Sequence, residues 1–216
     1  MIIVKQLQRK DIDQFIDNED GTGNKRREAR SKVNTALPSL ITAYYEDDPS
    51  TYTTWGFRSR RTSHVAEVTW WSGNNEELRK NALIGCIYTA ILEGRKRVEI
   101  FDEHGFTIPS PFLREGFHPY YTDKLEDVTI WGHVWVEDGI PVLQDTKFTL
   151  YNNTTVQKYL QKNQDLYEKD RDLYREDSEG KTFKQRIEEA NATIRHLPGV
   201  EVVDQPGWHG NEQKSE

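Results

Sequence analysis

The run Ala82–Leu92, ALIGCIYTAIL, limits what this chain can fold into more than any other stretch. It lies inside SGNNEELRKNALIGCIYTAILEGRKR, which reads as one long helix. Asn74 or Asn75 supplies the N-cap, Glu76 and Glu77 occupy the first turn where the helix dipole favours acids, and Gly94 followed by basic residues closes it. A helix with so apolar a centre has to be buried against a sheet. VEIFD follows at once and reads as the return strand of a β-α-β crossover, parallel to the strand before the helix.

Upstream, IIVKQL alternates as a first strand, and Asp11 is placed to cap a short helix, IDQFIDN, that EDGTG breaks. NKRREARSKVNTALPSL reads as a second helix ending before Pro38. LITAYYE, YTTWGFRSR and SHVAEVTWW then read as three strands of an antiparallel meander. Downstream of the crossover, SPFLREGF reads as a short helix stopped by Gly116, with Phe117 turning into another strand. EDVTIWGHVWVEDG adds a strand with a hairpin or bend at Gly132. The expected class is α+β: a mixed, mostly antiparallel sheet flanked by helices, formed by residues 1–152.

From Thr154 the pattern changes. Tyr159/Leu160, Leu166/Tyr167 and Leu173/Tyr174 recur every seven residues in a charged run, the mark of a helix with one narrow apolar seam. FKQRIEEANATIRHL adds a helix with Phe183, Ile187, Ala190 and Ile194 on one face. Residues 153–198 are therefore expected as a C-terminal helical extension, a coiled-coil-like arm, and 199–216 as a flexible tail that opens on a short strand-like piece in VEVVDQPGWHGNEQKSE. Such a seam needs cover from its own core, from a second copy or from another protein.

A net charge of −7 speaks against holding nucleic acid by bulk electrostatics. The lone cysteine, Cys86, lies within the apolar run, where a small buried hydrophobe is expected, and a reducing compartment fits. No run approaches the roughly 18 apolar residues of a membrane span, so a soluble cytoplasmic protein is expected.

The order of elements over residues 1–136, and above all GRKRVEIFD followed by SPFLREGF with its Gly116-Phe117 step, resembles the GNAT superfamily of acyl-CoA-dependent N-acyltransferases. The resemblance implies a splayed sheet that grips acetyl-CoA or another acyl-CoA, with the diphosphate on amides at the start of the long helix. The family's loop, Arg/Gln-x-x-Gly-x-Gly/Ala, compares with Arg79-Lys80-Asn81-Ala82-Leu83-Ile84. Arg79 matches, whereas Ala82 and Ile84 replace the glycine and the small residue. SGNNEE is an alternative cradle with the same acidic neighbours. The implied cofactor residues are Trp71, Ser72, Gly73, Asn74, Arg79, Asn81 and Ala82.

Acyl transfer to an amine needs a base for the ammonium proton and an acid for the departing thiolate. Glu67 is the best-placed base, with His64 second, and a solvated strand face is the competing role for Glu67. The family's tyrosine acid corresponds to Phe112, which has no proton to give, so Tyr120 or Tyr121 is the substitute, against a packing role for that pair. Asp102-Glu103-His104 lacks a second histidine at ligand spacing and reads as loop surface. Trp55 to Arg61, with Lys25, Arg26, Arg27 and Arg30, interleaves aromatic and basic residues as a phosphate-lined groove does, or as a solvated face does.

Two functions follow. The first is an N-acyltransferase, acetyltransferase-like, acting on a small-molecule or macromolecular amine. The second is a GNAT-like scaffold without catalysis, an assembly or interaction component of the kind found among phage virion proteins, acting through the 154–198 arm.

Overall fold

The computed structural model describes residues 1–16, 39–59, 65–102, 118–123, 128–133, 139–153 and 176–205. Nine strands form one sheet: β1 (Ile2–Gln6), β2 (Ser39–Tyr45), β3 (Tyr52–Ser59), β4 (Val65–Ser72), β5 (Arg97–Asp102), β6 (His118–Asp123), β7 (Val128–His133), β8 (Thr146–Asn153) and β9 (Val200–Gln205). Their spatial order is β6-β7-β5-β4-β3-β2-β1-β8-β9. The described helices are α1 (Ile12–Phe15), α2 (Glu76–Leu92) and α3 (Phe183–His196).

The antiparallel meander β2-β3-β4 and the crossover β4-α2-β5 are present as the sequence implies, with β5 parallel to β4. α2 is buried from Asn81 to Leu92 without interruption. One side lies on the sheet, where Gly85 allows the closest approach: a Cβ there would stand 2.8 Å from Val4 Cγ1 and 2.9 Å from Ile41 Cγ2. The other side is covered by α3, whose Ala190 and Ile194 join the same core. Gly94 ends α2 at φ +76°, and the N–H groups of Gly94 and Arg95 satisfy the carbonyls of Ile91 and Ala90. The opposite sheet face carries a smaller cluster: Leu7, Ile12, Phe15, Ile16, Leu40 and Trp71.

The C-terminal region departs from the expected arm and tail. Val200–Gln205, the strand-like piece at the start of the expected tail, form a full strand of the sheet parallel to β8, which itself runs parallel to β1. α3 opens with a capping box between Thr182 and Gln185 and is tied to α2 by Asn191 Nδ2 donating to the Leu92 carbonyl at 3.1 Å. A chain that buries Ile194 fully has built its own core with this helix. Gly132 makes no bend, for Val128–His133 pair with β5 and β6 throughout. The proposed helix ending at Pro38, the Gly116-Phe117 step, the Tyr159–Tyr174 seam and residues 206–216 lie outside the described residues. No helix among the described residues is long and apolar enough to cross a membrane.

Candidate functional site

The β4–β5 ladder pairs Val65 with Arg97, Ala66 with Val98, Glu67 with Glu99 and Val68 with Ile100, and stops there. β4 runs on to Ser72, and β5 runs on to Asp102 while still pairing with β7. Two parallel strands that continue beyond their last shared rung leave an opening between their C-terminal ends, beside the start of α2. On β3, Thr54 pairs with Ser72 and Trp55 with Trp70, so Trp71 is the extra residue of a β-bulge. The bulge turns two successive side chains toward α1: Trp71 packs in the cluster with Phe15, and Ser72 Oγ donates to the Phe15 carbonyl at 3.3 Å.

The link from β4 to α2 is only Gly73-Asn74-Asn75. Gly73 has φ +81°, and a Cβ there would stand 1.9 Å from the Tyr52 carbonyl oxygen, so only glycine fits. Asn75, not Asn74, caps the helix by accepting the Leu78 N–H at 3.0 Å. Among the described residues, no acceptor meets the first-turn N–H groups of Glu76 and Glu77, the ordinary state of donors at a helix start. Their carboxylates are exposed beside them, and Glu77 accepts a 2.6 Å hydrogen bond from the Tyr45 hydroxyl. That bond, then burial, holds the Tyr45 phenol above its ordinary pKa.

Arg79 lies one turn into α2 with its guanidinium 5.8 Å from the centre of the Trp70 ring, a cation–π distance. Burial pulls its pKa down, and the Glu76 carboxylate pulls it back up. Two indoles fasten this corner: Trp55 Nε1 donates to the Arg79 carbonyl at 3.1 Å and Trp70 Nε1 to the Gly73 carbonyl at 2.8 Å.

The residues singled out from the sequence are thus partly gathered. Ser72, Gly73, Asn74 and Arg79 surround the start of α2. Asn81 and Ala82 do not: Asn81 donates to the Glu77 carbonyl at 2.8 Å and accepts from Thr146 Oγ1 at 3.0 Å, and Ala82 is core. Both fall on the sheet side of the second turn, where a helix packed over β1 and β8 leaves no room for a ligand. Trp71 is buried toward α1. Glu67 faces the same side as Trp71, one rung before the opening, with Arg58 Nε 4.0 Å from its carboxylate. Its register neighbour Glu99 is held by Arg97 at 2.8 Å.

Tyr120 and Tyr121 lie on β6, two strands beyond β5. Tyr121 is level with Phe101 through Ile130, just past the last β4–β5 rung, and about 10 Å across the sheet from β5. Trp55 and Phe57 do not line a groove, because both are fully inside the core under α2. His64, Glu103, His104 and the Lys25–Arg30 group lie outside the described residues. The bulge at Trp71 and the charged strip Arg58-Glu67-Glu99-Arg97 went unforeseen. The alternation of Arg97 and Glu99 with apolar Val98 and Ile100 carried the signal for the strip.

No protein-family model matches the sequence, and no curated protein matches it. Solved structures do resemble the fold. A PaiA N-acetyltransferase from Thermoplasma acidophilum in complex with coenzyme A is 13% identical, with a TM-score of 0.47 over 62% of this chain and 99% of that one. A probable acetyltransferase from Staphylococcus epidermidis is 13% identical, with a TM-score of 0.46 over 61% and 96%. A putative GNAT-family acetyltransferase from Desulfovibrio desulfuricans is 14% identical, with a TM-score of 0.43 over 61% and 98%. The mixed sheet flanked by helices, with a parallel β4–β5 pair that opens beyond Val68, is the α+β architecture that the resemblance to the GNAT superfamily implies.

Proposed function

We propose that this chain is an acyl-CoA-dependent N-acyltransferase, working in the cytoplasm on an amine that approaches from the α1 side of the sheet. The observation that carries the reading is the end of the β4–β5 ladder at Val68 and Ile100 while both strands continue. An opening between parallel strands suits a slender arm such as pantetheine, which has amide groups able to complete the interrupted ladders. At its outer end the N–H groups of Glu76 and Glu77 and the Arg79 guanidinium are the donors that fit a diphosphate. Bound there, an acyl-CoA supplies an activated acyl thioester. Glu67 takes the ammonium proton of the acceptor, and a Tyr120 or Tyr121 hydroxyl is the proton source for the leaving thiolate.

The carboxylates of Glu76 and Glu77 stand where the diphosphate would lie, which weakens its binding. Titration of acetyl-CoA into the protein and into the double variant Glu76→Gln, Glu77→Gln tests the reading. The variant should bind severalfold more tightly at low ionic strength, and the gain should shrink as salt screens it. Absence of binding heat in both proteins would sink the proposal.

A second reading, a scaffold without catalysis, is favoured by one observation: the Leu78 amide is already taken by Asn75 next to two acids. It predicts no binding of acetyl-CoA by either protein and self-association, or capture of a protein partner, through residues 154–198. Sedimentation velocity on the full chain measures the self-association.

A further inference from the structure

The ammonium of Lys5 has a built seat on the α1 side of the sheet. It lies 3.2 Å from Asp11 Oδ1, 4.9 Å from the centre of the Phe15 ring and 5.8 Å from that of Tyr44. The two rings stack at 4.9 Å, and Tyr52 meets Phe15 edge-on at 5.5 Å, so the aromatic wall is itself braced. Asp11 directly precedes α1, yet its carboxylate caps none of the helix N–H groups. One of its oxygens accepts from the Lys5 ammonium and the other from the Gln8 N–H at 3.0 Å. Lys5 also begins a rung that runs through Thr42 and Thr54 to Ser72, on β1, β2, β3 and β4 in turn. α1 lies over this rung. On β4, three strand spacings or about 14 Å from β1, Ser72 Oγ donates to the Phe15 carbonyl at 3.3 Å, and on β3 Thr54 Oγ1 donates to the same carbonyl at 2.9 Å.

We infer that Lys5 is a positioning residue: its ammonium pins the leading end of α1, and α1, so pinned, sets the Phe15 carbonyl that receives the end of β4. α1 is a single turn, too short to hold its shape alone, so its place depends on what fastens its two ends. Packing of Ile12, Phe15 and Ile16 in the small cluster buries the turn but gives it no direction. The directional contacts stand at the ends: an ion pair with its aromatic wall at one, two hydroxyls on a carbonyl at the other. Without the cation, the half-buried Asp11 carboxylate is left to the Gln8 N–H and Phe15 loses the charge against its face, so the whole turn is released to shift on the sheet. The group that steadies the α1 side of the β4 terminus is therefore three strands away from it. That an amine enters there rests on the function proposed above, whereas the pinning does not.

The test is hydrogen exchange resolved to single amides on the full chain without ligand, for the native sequence, Lys5→Ala, Lys5→Met and Lys5→Arg. Gln8 reports the pinned end and Ile16, whose N–H bonds the Ile12 carbonyl, reports the far end. Both amides should exchange about tenfold faster in the alanine and methionine variants. In Lys5→Arg, which keeps the charge, they should stay within about twofold of native. Amides in α3 should hold their rates after correction for global stability from urea unfolding. Adding n-propylammonium chloride, which restores the atoms that Lys5→Ala lacks, should slow both amides again, while equal concentrations of n-propanol or potassium chloride should not. Should the alanine variant fail to fold, the methionine and arginine variants carry the comparison. Unchanged exchange in Lys5→Met overturns the inference, and so does faster exchange at Gln8 with Ile16 unmoved, or rescue by the alcohol or the plain salt. Binding of acetyl-CoA, measured on the same proteins, separates the two ideas. The expected exchange pattern with no binding by the native chain leaves the pinning standing and removes the acyltransferase.

Discussion

Asn75 Oδ1 accepts the N–H of Leu78 at 3.0 Å, at the point where β4 hands the chain to α2 and where an anion would meet the helix. The side chain satisfies one of the helix's orphan donors and in doing so removes it from any ligand. Replacement by alanine should lower stability by about 1 kcal/mol, the usual value of an N-cap, while Asn75→Asp should be nearly silent. Urea unfolding of the two variants beside the native chain measures the difference.

Gly73 admits no side chain, since it combines a left-handed φ with the Tyr52 carbonyl 1.9 Å from the place of a Cβ. Gly73→Ala should therefore cost more than the roughly 1–3 kcal/mol of a strained backbone alone, because β3 has to move as well. A drop in the thermal midpoint with the far-ultraviolet spectrum retained at low temperature is the expected result. An alanine variant as stable as the native chain would show that the turn is not as described.

Two groups in α2 make stability depend on alkaline pH. Burial pushes the Cys86 thiol well above its ordinary 9.0, and burial likewise raises the Tyr88 phenol above 10.0. Both hold their protons to higher pH in the folded chain than in the unfolded one. Stability is therefore fully present below those ordinary values and falls as pH rises past 9.0 and then past 10.0. In Cys86→Ala the first fall should vanish and the second remain. Urea unfolding across pH 8 to 11 reads both, and thiol reagents should leave the native cysteine unmodified at neutral pH.

α3 should behave as core. Ile194 is fully buried against α2, and Ile194→Ala should destabilise by about 2–5 kcal/mol, the range for removing a buried aliphatic side chain. Truncation after residue 175 should leave a chain unable to fold cooperatively, because it bares the outer flank of α2. A folded truncated protein of native stability would make the C-terminal segment an appendage after all.

The centre of this fold was legible because two signals agreed there. An apolar centre demanded that α2 be buried against a sheet, and VEIFD directly after it pointed to the parallel crossover. The cap was legible to within one residue, since Asn74 and Asn75 are equivalent in type and only backbone geometry chooses between them. β8 was missed although Phe148, Leu150 and Asn152 alternate with half-buried Thr149 and Tyr151, a period of two interrupted by no turn signal. β9 was legible only as a short strand-like piece at the start of a tail. Val200 to Gln205 are short and partly acidic, and nothing local tells that they join the main sheet by pairing with β8. In the site, Asn81 and Ala82 were misassigned because a motif alignment ignores which side of the helix meets the sheet. The bulge at Trp71 was invisible for want of any local signature, since it shows only in the pairing of β4 with β3.

The parallel pairing of β1 with β8 has a consequence for how this molecule comes into being. A ribosome delivers β1 well before β8 and β9, so the earlier strand waits with one flank bare until they follow. Closing so long a loop is slow, and until then the nascent polypeptide presents a sticky edge of the sort that chaperones hold. That side of the sheet is consequently completed only once the far end of this 216-residue stretch has been made, whatever chemistry the protein later performs.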